Sequence, residues 1–261
     1  MGQKRTINKK RLTKKEVKDI VSSLATLDIE FTNFFEQTLA NGEVQKDLVY
    51  RLPENQVLYV FADNDISLPG RGDIYPLDYF LKWIKQIKRT NKNYEMNRGN
   101  SVDHWRYYSK NGAKFINNID KLLDELSAKL QISKARLNAS YESLDLISEK
   151  INSLDLDFIF ENLYDNLVVY VGEVIKQRVH GHWEINTTHY GGDYPFISID
   201  LKNVQYMPIN AVWSSLNEIE PHNLRKEAAN EVRLQASRAK FEREFGDRIH
   251  TSFGGRGKSS A

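Results

Sequence analysis

The sequence predicts an α+β fold, predominantly helical, in which helices pack with a small antiparallel β-hairpin or sheet. Three observations carry that expectation. Apolar residues recur at helical spacing through most of the chain, and only short runs, such as 57–61, 183–187 and 195–201, are rich in β-branched and aromatic residues. The composition, 40% hydrophobic and 11% aromatic, is enough to fill a core. A mean hydropathy of −0.57 fits helices with long solvated faces.

Thr13-Lys14-Lys15-Glu16 has the spacing of a capping box, a hydroxyl and a carboxylate each placed to satisfy the other's free amide. Val17, Ile20, Val21, Leu24, Leu27, Phe31, Phe34, Phe35 and Leu39 then repeat at helical spacing, so a single helix is predicted up to Asn41-Gly42. A buried strand is predicted over 57–61, between Pro53 and the turn residues Asp63, Asn64 and Asp65. Helices are predicted over 76–89, 101–130, 138–152 and 154–179, with a polar loop at 91–100. Gly181 suits the left-handed position that closes the last of these helices. A hairpin over 183–187 and 195–201, a helix opened by Pro208 and a charged helix over 221–245 complete the order.

Charge is unevenly placed. The net charge is +2, from 37 basic and 35 acidic residues. Lys4, Arg5, Lys9, Lys10, Arg11, Lys14 and Lys15 crowd the start, and Arg248, Arg256 and Lys258 stand among glycines and serines at the other end. The body between must therefore be acidic. Residues 1–12 and 248–261 lack the apolar area to offset ordering and are expected to be disordered tails. The ordered chain divides into a helical region with one short strand over 13–130 and a helix-helix-hairpin-helix region over 131–247, expected to pack as one unit. There is no cysteine, which excludes disulfides and thiolate sites. No apolar run approaches the roughly 18 residues of a membrane span, and no secretory leader is expected, so the chain is expected to be cytoplasmic.

The helix around Gly172 stands out. At about 100° per residue, Leu163, Leu167, Tyr170, Val171 and Val174 share one face, and Val168, Ile175 and Val179 a second. A helix apolar on two sides belongs between layers. Glycine inside a helix costs about 1 kcal/mol relative to alanine, so Gly172 is expected to admit a close neighbour such as the hairpin at Trp183. Trp183 and Pro195 are expected to be packing positions, and Glu173 an edge or salt-bridged carboxylate.

No residues have the spacing of a known catalytic or metal site, and no cofactor is expected. His180, His182 and His189 are the one histidine cluster and, with Glu173, a candidate polar site, but no carboxylate falls at a standard zinc spacing. Gly257-Lys258-Ser259 resembles the end of a phosphate-binding loop, yet Ser252 stands where the motif requires glycine. Met1-Gly2 followed by basic residues fits a short myristoylation pattern. Asp63, Asp65 and Asp73 lack calcium-loop spacing, and no serine sits in a nucleophile elbow. Basic and aromatic residues interleave from Lys82 to Lys110. Lys85, Lys88, Arg89, Trp105 and Arg106, with Lys9, Lys10 and Arg11 of the tail, are candidate nucleic-acid contacts, against the alternative of an ordinary helix with a solvated lysine face.

Two stretches together carry a likeness. Ser140-Tyr141-Glu142-Ser143-Leu144-Asp145 is followed by Val169-Tyr170-Val171-Gly172-Glu173-Val174-Ile175, then Gly181-His182-Trp183 and Tyr194-Pro195-Phe196-Ile197. The order resembles a group of small bacterial cytoplasmic domains in which a Ser-Leu-Asp helix precedes a Tyr-x-Gly-Glu helix and a strand containing tryptophan. Some of these look like immunity proteins encoded beside polymorphic toxins. The resemblance covers residues 130–217 and brings no catalytic residues. It implies a non-enzymatic protein whose partner is another protein, a toxin. Two alternatives are a nucleic-acid-associated accessory protein and an enzyme of unrecognised type. No feature of the sequence defines an oligomeric state.

Overall fold

A computed structural model describes residues 11–187, 193–201, 204–219 and 221–253, with 245–253 described by their backbone alone. The fold is α+β and predominantly helical, with antiparallel sheets. The chain divides into two compact units, Met1–Lys88 and Arg89–Ala261, so the division foreseen near residue 130 falls inside the second.

In the first unit, β1 (Arg11–Leu12), α1 (Lys14–Ser23), β2 (Thr26–Leu27), α2 (Ile29–Phe34), β3 (Glu36–Thr38), β4 (Val44–Lys46), β5 (Leu48–Leu52), β6 (Gln56–Val60) and β7 (Gly72–Pro76) lead into α3 (Leu77–Glu95). Five strands form one antiparallel sheet in the order β1-β7-β6-β5-β2. Val57 and Tyr59 pack with Phe31, Phe80 and Ile84 on one face of it, and Leu58 and Val60 with Leu12 and Val17 on the other. A strand buried on both faces reads as an unbroken apolar run, which is why β6 is the strand visible in the sequence.

The single helix predicted from Thr13 to Asn41 is corrected. The capping box is present: the Glu16 amide donates to Thr13 Oγ1 at 3.3 Å and the Thr13 amide to Glu16 Oε2 at 2.8 Å. The helix stops at Ser23, because Thr26 and Leu27 pair with Arg51 and Tyr50 at the sheet edge. Asp28 then caps a new helix, accepting from the Phe31 amide at 3.0 Å and from Arg51 Nε at 2.6 Å. Beyond it, β3 and β4 form a separate hairpin that turns at Gly42, whose φ of +83° favours glycine.

The second unit is built on α8 (Tyr164–Val179), where residues 163–172 are buried without interruption. Around it stand α4 (Ser101–Tyr108), α5 (Ile119–Leu130), α6 (Tyr141–Ile151), α7 (Leu156–Asn162), α9 (Pro208–Leu216) and α10 (Leu224–Phe253). A three-stranded antiparallel sheet, ordered β10-β9-β8, joins β8 (His182–Asn186), β9 (Tyr194–Ser198) and β10 (Gln205–Tyr206).

Two predicted helices are each divided. The 101–130 segment breaks after Tyr108, where Asp165 Oδ2 accepts from Ser109 Oγ (3.1 Å), the Lys110 amide (2.9 Å) and Asn111 Nδ2 (2.6 Å). One buried carboxylate thus holds the loop that a continuous helix would have occupied. The 154–179 segment breaks at Leu163, between α7 and α8. At the end of α8 the left-handed residue is His180, with φ +54°, and not Gly181. Gly181 is required for another reason: a Cβ there would lie 2.5 Å from the Ser198 carbonyl oxygen and 2.6 Å from Ile197 Cγ2.

Candidate functional site

The packing expectations at Gly172, Trp183 and Pro195 agree with the structure. A Cβ on Gly172 would lie 2.1 Å from Cζ2 and Cη2 of Trp183 and 3.1 Å from Pro208 Cγ. The indole rests on the bare helix backbone and donates from Nε1 to Glu173 Oε1 at 2.7 Å, while Lys176 Nζ stands 2.6 Å from Glu173 Oε2. Glu173 is therefore a tie between α8, its own lysine and the sheet. Pro195 is buried in β9 opposite Ile185, in a part of the strand that β10 does not reach, since β10 pairs only with Ser198 and Ile197. A residue without an N–H is tolerated at such a position.

The polar cluster does not assemble as one site. His180 closes α8, and His182 Nε2 lies 2.8 Å from Glu184 Oε1 on the exposed side of β8. His189 lies outside the described residues. Among the described residues no group of three His, Asp or Glu side chains converges as metal ligands would.

The candidate nucleic-acid contacts are mostly engaged elsewhere. Trp105 is buried in the core against Phe115 and offers no ring face to a stacked base; that assignment is corrected. Arg11 clasps Asp73 with two hydrogen bonds, Nε–Oδ1 at 3.1 Å and Nη2–Oδ2 at 2.9 Å, fixing β1 to β7. Arg89 bridges to Asp157 at 2.7 Å over the Phe160 ring, and Arg106 pairs with Asp103 at 3.1 Å. Lys85 and Lys88 are exposed on α3, with the Lys88 ammonium over the Phe34 ring. Lys9 and Lys10 lie outside the described residues.

A different site emerges between α9, α10 and the turn that opens α4. Pro208 at the start of α9 sets the helix direction. From there Asn210, Trp213 and Ser214 fall on one face, at the i, i+3, i+4 spacing of neighbours. Glu227, Asn230, Glu231 and Leu234 fall on the facing side of α10 with the same rhythm. With Gly99, Asn100 and Ser101 these residues line a groove of about 330 Å³. Ser101 Oγ donates to Asn210 Oδ1, which ties the turn to α9.

Glu231 is the anchor of the groove wall. It is buried and accepts from the Met207 amide at 2.8 Å and from Gln235 Nε2 at 3.2 Å. Burial pushes its carboxyl up from the ordinary range, and these hydrogen bonds oppose the rise. Asn230 Nδ2 reaches Glu227 at 3.3 Å. The lining described contains two carboxylates and no Lys, Arg or His. Cations stand outside it: Lys226 between Glu227 and Glu218, Arg233 on Asn230, and Arg238 on Gln235. At the lip, Leu234 is 60% exposed.

None of these groove residues was singled out by sequence. The signal that marks them is an inversion on α10: Leu234 faces out while Glu231 and Gln235 face in. Chemically the groove offers carboxylate and amide acceptors, an indole and an exposed aliphatic side chain. That set is complementary in chemistry to a basic, partly apolar surface, and the lining contains no nucleophile with an activating base. Comparison with protein-family models, curated proteins and solved structures gave no match.

Proposed function

We propose that this chain is a non-enzymatic cytoplasmic protein that acts by binding another protein, in the manner of an immunity protein that neutralises a bacterial toxin. The observation that carries the reading is the α9–α10 groove, with Leu234 at 60% exposure beside two carboxylates and an indole. A fixed acidic groove steers toward a basic partner and favours it over acidic ones, while an exposed aliphatic residue beside it supplies apolar contact. The acidic body between the basic ends of the chain supports the same choice. Among the described residues no helix is long and apolar enough to cross a membrane. The nucleic-acid alternative has less support, since Trp105, Arg11, Arg89 and Arg106 are all committed within the fold.

Affinity capture from the native host, with and without nuclease, tests the proposal. The expected result is a stoichiometric basic protein that survives nuclease and is lost as salt rises. Leu234→Lys, at an exposed position, should leave the melting temperature within about 1 °C and reduce capture at least tenfold, since it removes the apolar contact and sets a cation against a basic partner. Recovery of nucleic acid alone, or capture indifferent to Leu234→Lys, contradicts it.

A further inference from the structure

Asparagine is followed by glycine at two places in the chain, Asn41-Gly42 and Asn111-Gly112. Asparagine is a thermolabile residue. A glycine after it is the least hindered neighbour for attack of the main-chain nitrogen on the side-chain carboxamide, because it carries no Cβ. Both glycines are open, since a Cβ on either would meet nothing within 4 Å. What separates the two positions is how the fold holds the asparagine.

Asn41 stands at the tip of the β3–β4 hairpin. Thr38 pairs with Val44, the Leu39 amide donates to the Glu43 carbonyl at 2.8 Å, and Ala40, Asn41 and Gly42 form an exposed loop between them. Asn41 Oδ1 accepts from the Glu43 amide at 3.1 Å, and its Nδ2 has no acceptor among the described residues. A donor so placed stabilises the negative charge that grows on Oδ1 as the carboxamide carbon is attacked. One contact opposes the reaction. The Gly42 amide donates to the Leu39 carbonyl at 2.9 Å, and an imide nitrogen has no proton with which to keep that bond. A single exposed hydrogen bond of this kind is a small net term.

Asn111 is held at both ends of its side chain. It is half-buried, donates from Nδ2 to Asp165 Oδ2 at 2.6 Å and accepts at Oδ1 from Asn118 Nδ2 at 2.8 Å. The Gly112 amide donates to Ser109 Oγ at 3.2 Å. The nitrogen that would have to leave is thus in a charge-assisted bond, the stronger kind. The carboxamide cannot swing toward Gly112 without breaking the bonds at both its ends.

We propose that Asn41 is a site of spontaneous covalent modification, and that Asn111, with the same motif, is protected by the fold. The Gly42 nitrogen gives up its proton to solvent and bonds to Asn41 Cγ. The Cγ–Nδ2 bond breaks, and Nδ2 takes a proton from solvent and leaves as ammonia. Water then opens the cyclic imide. Breaking the bond from Cγ to nitrogen gives aspartate, and breaking the bond from the main-chain carbonyl carbon gives isoaspartate, with the chain running through Cβ. Either product sets a new carboxylate beside Glu43, and isoaspartate lengthens the loop by one carbon, which loosens the Thr38–Val44 register. The site is independent of the α9–α10 groove and of the protein-binding reading.

The test ages the full chain in mildly alkaline buffer made with heavy-oxygen water, beside a sample kept unfolded in urea, and follows both by peptide mapping with mass spectrometry. In the folded chain the peptide containing Asn41 should convert at least about tenfold faster than that containing Asn111. It should take heavy oxygen into the new carboxyl and give isoaspartate as well as aspartate. In urea Asn111 should convert at a rate close to that of Asn41, because its protection comes from the fold. Asn41→Ser, at an exposed loop position, should abolish conversion of its own peptide and leave Asn111 as before. Equal rates at the two positions in the folded chain would overturn the proposal, as would an Asn41 that converts in urea and not in the folded chain.

Discussion

Gly172→Ala is expected to destabilise the second unit by about 3 kcal/mol, the upper part of the range for overpacking a core. Considered locally, the substitution should help, since alanine gains about 1 kcal/mol over glycine inside a helix. Tertiary contact reverses the sign. The new methyl would stand 2.1 Å from two ring carbons of Trp183, and the indole cannot retreat without losing its 2.7 Å hydrogen bond to Glu173. Behind it Trp183 meets Phe115, with ring centroids 5.6 Å apart, so displacement propagates into the core. For a unit of this size the loss corresponds to roughly 6–12 °C in melting temperature. Differential scanning calorimetry reads it directly. Pairing Gly172→Ala with Trp183→Leu should recover part of the loss, because the smaller side chain makes room for the methyl. A melting temperature equal to or above the parent's would show that the Gly172–Trp183 approach does not constrain the fold.

Acid is expected to destabilise the same unit through His104. The imidazole is completely buried, packed against Tyr108, Phe160 and Tyr164 with ring centroids 4.7, 4.6 and 5.4 Å away. Neither ring nitrogen has a hydrogen-bond partner among the described residues. Burial, with Arg98 and Arg89 nearby, pushes its pKa down from 6.5 to about 4. The unfolded chain therefore binds a proton that the folded chain refuses. His104 contributes its full stability above pH 6.5 and loses it as the pH falls toward 4, a change of about 3 kcal/mol. His222, also lowered by burial, acts in the same direction. Glu231 opposes both: its raised pKa stabilises at low pH and that contribution fades as its carboxyl ionises. Urea unfolding followed from pH 7.5 to pH 4 should show this acid limb. His104→Leu, of similar volume and without a proton to take up, should flatten it, and Glu231→Gln should steepen it. An unchanged limb in His104→Leu would show that His104 does not carry the acid dependence.

The sequence was most legible where local and tertiary demands agree. The helix around Gly172 is apolar on two sides, and burial on both sides is what such a pattern dictates; the glycine within it correctly implied a close neighbour at Trp183. The Thr13 capping box and the unbroken apolar run of β6 were legible for the same reason. What could not be seen were interruptions imposed from far along the chain. Asp28 and the Thr26–Leu27 pair break a well-formed helical rhythm because β5 offers them an edge. Asp165 breaks another, from more than fifty positions away, by gathering the donors of Ser109, Lys110 and Asn111. Strands β5 and β7 carry charged residues, Arg51 and Asp73, that are matched only after folding, by Asp28 and Arg11. The groove was hidden for a related reason. The segment reads only as a charged helix, with nothing to mark Leu234, and α10 turns Leu224, Ala228, Glu231, Gln235 and Ala239 inward. Polar residues inside and an aliphatic one outside are a departure from pattern that is expected at functional surfaces. Trp105, conversely, looked like a stacking residue only because its neighbours in sequence are basic.

If the α9–α10 groove is where this protein meets its partner, hydrogen–deuterium exchange on the captured complex will differ from that of the free chain there. Slowed exchange at residues 99–101, 208–216 and 224–235 is the result predicted. Protection confined to 82–95 and the basic start of the chain, with the groove unchanged, would contradict it.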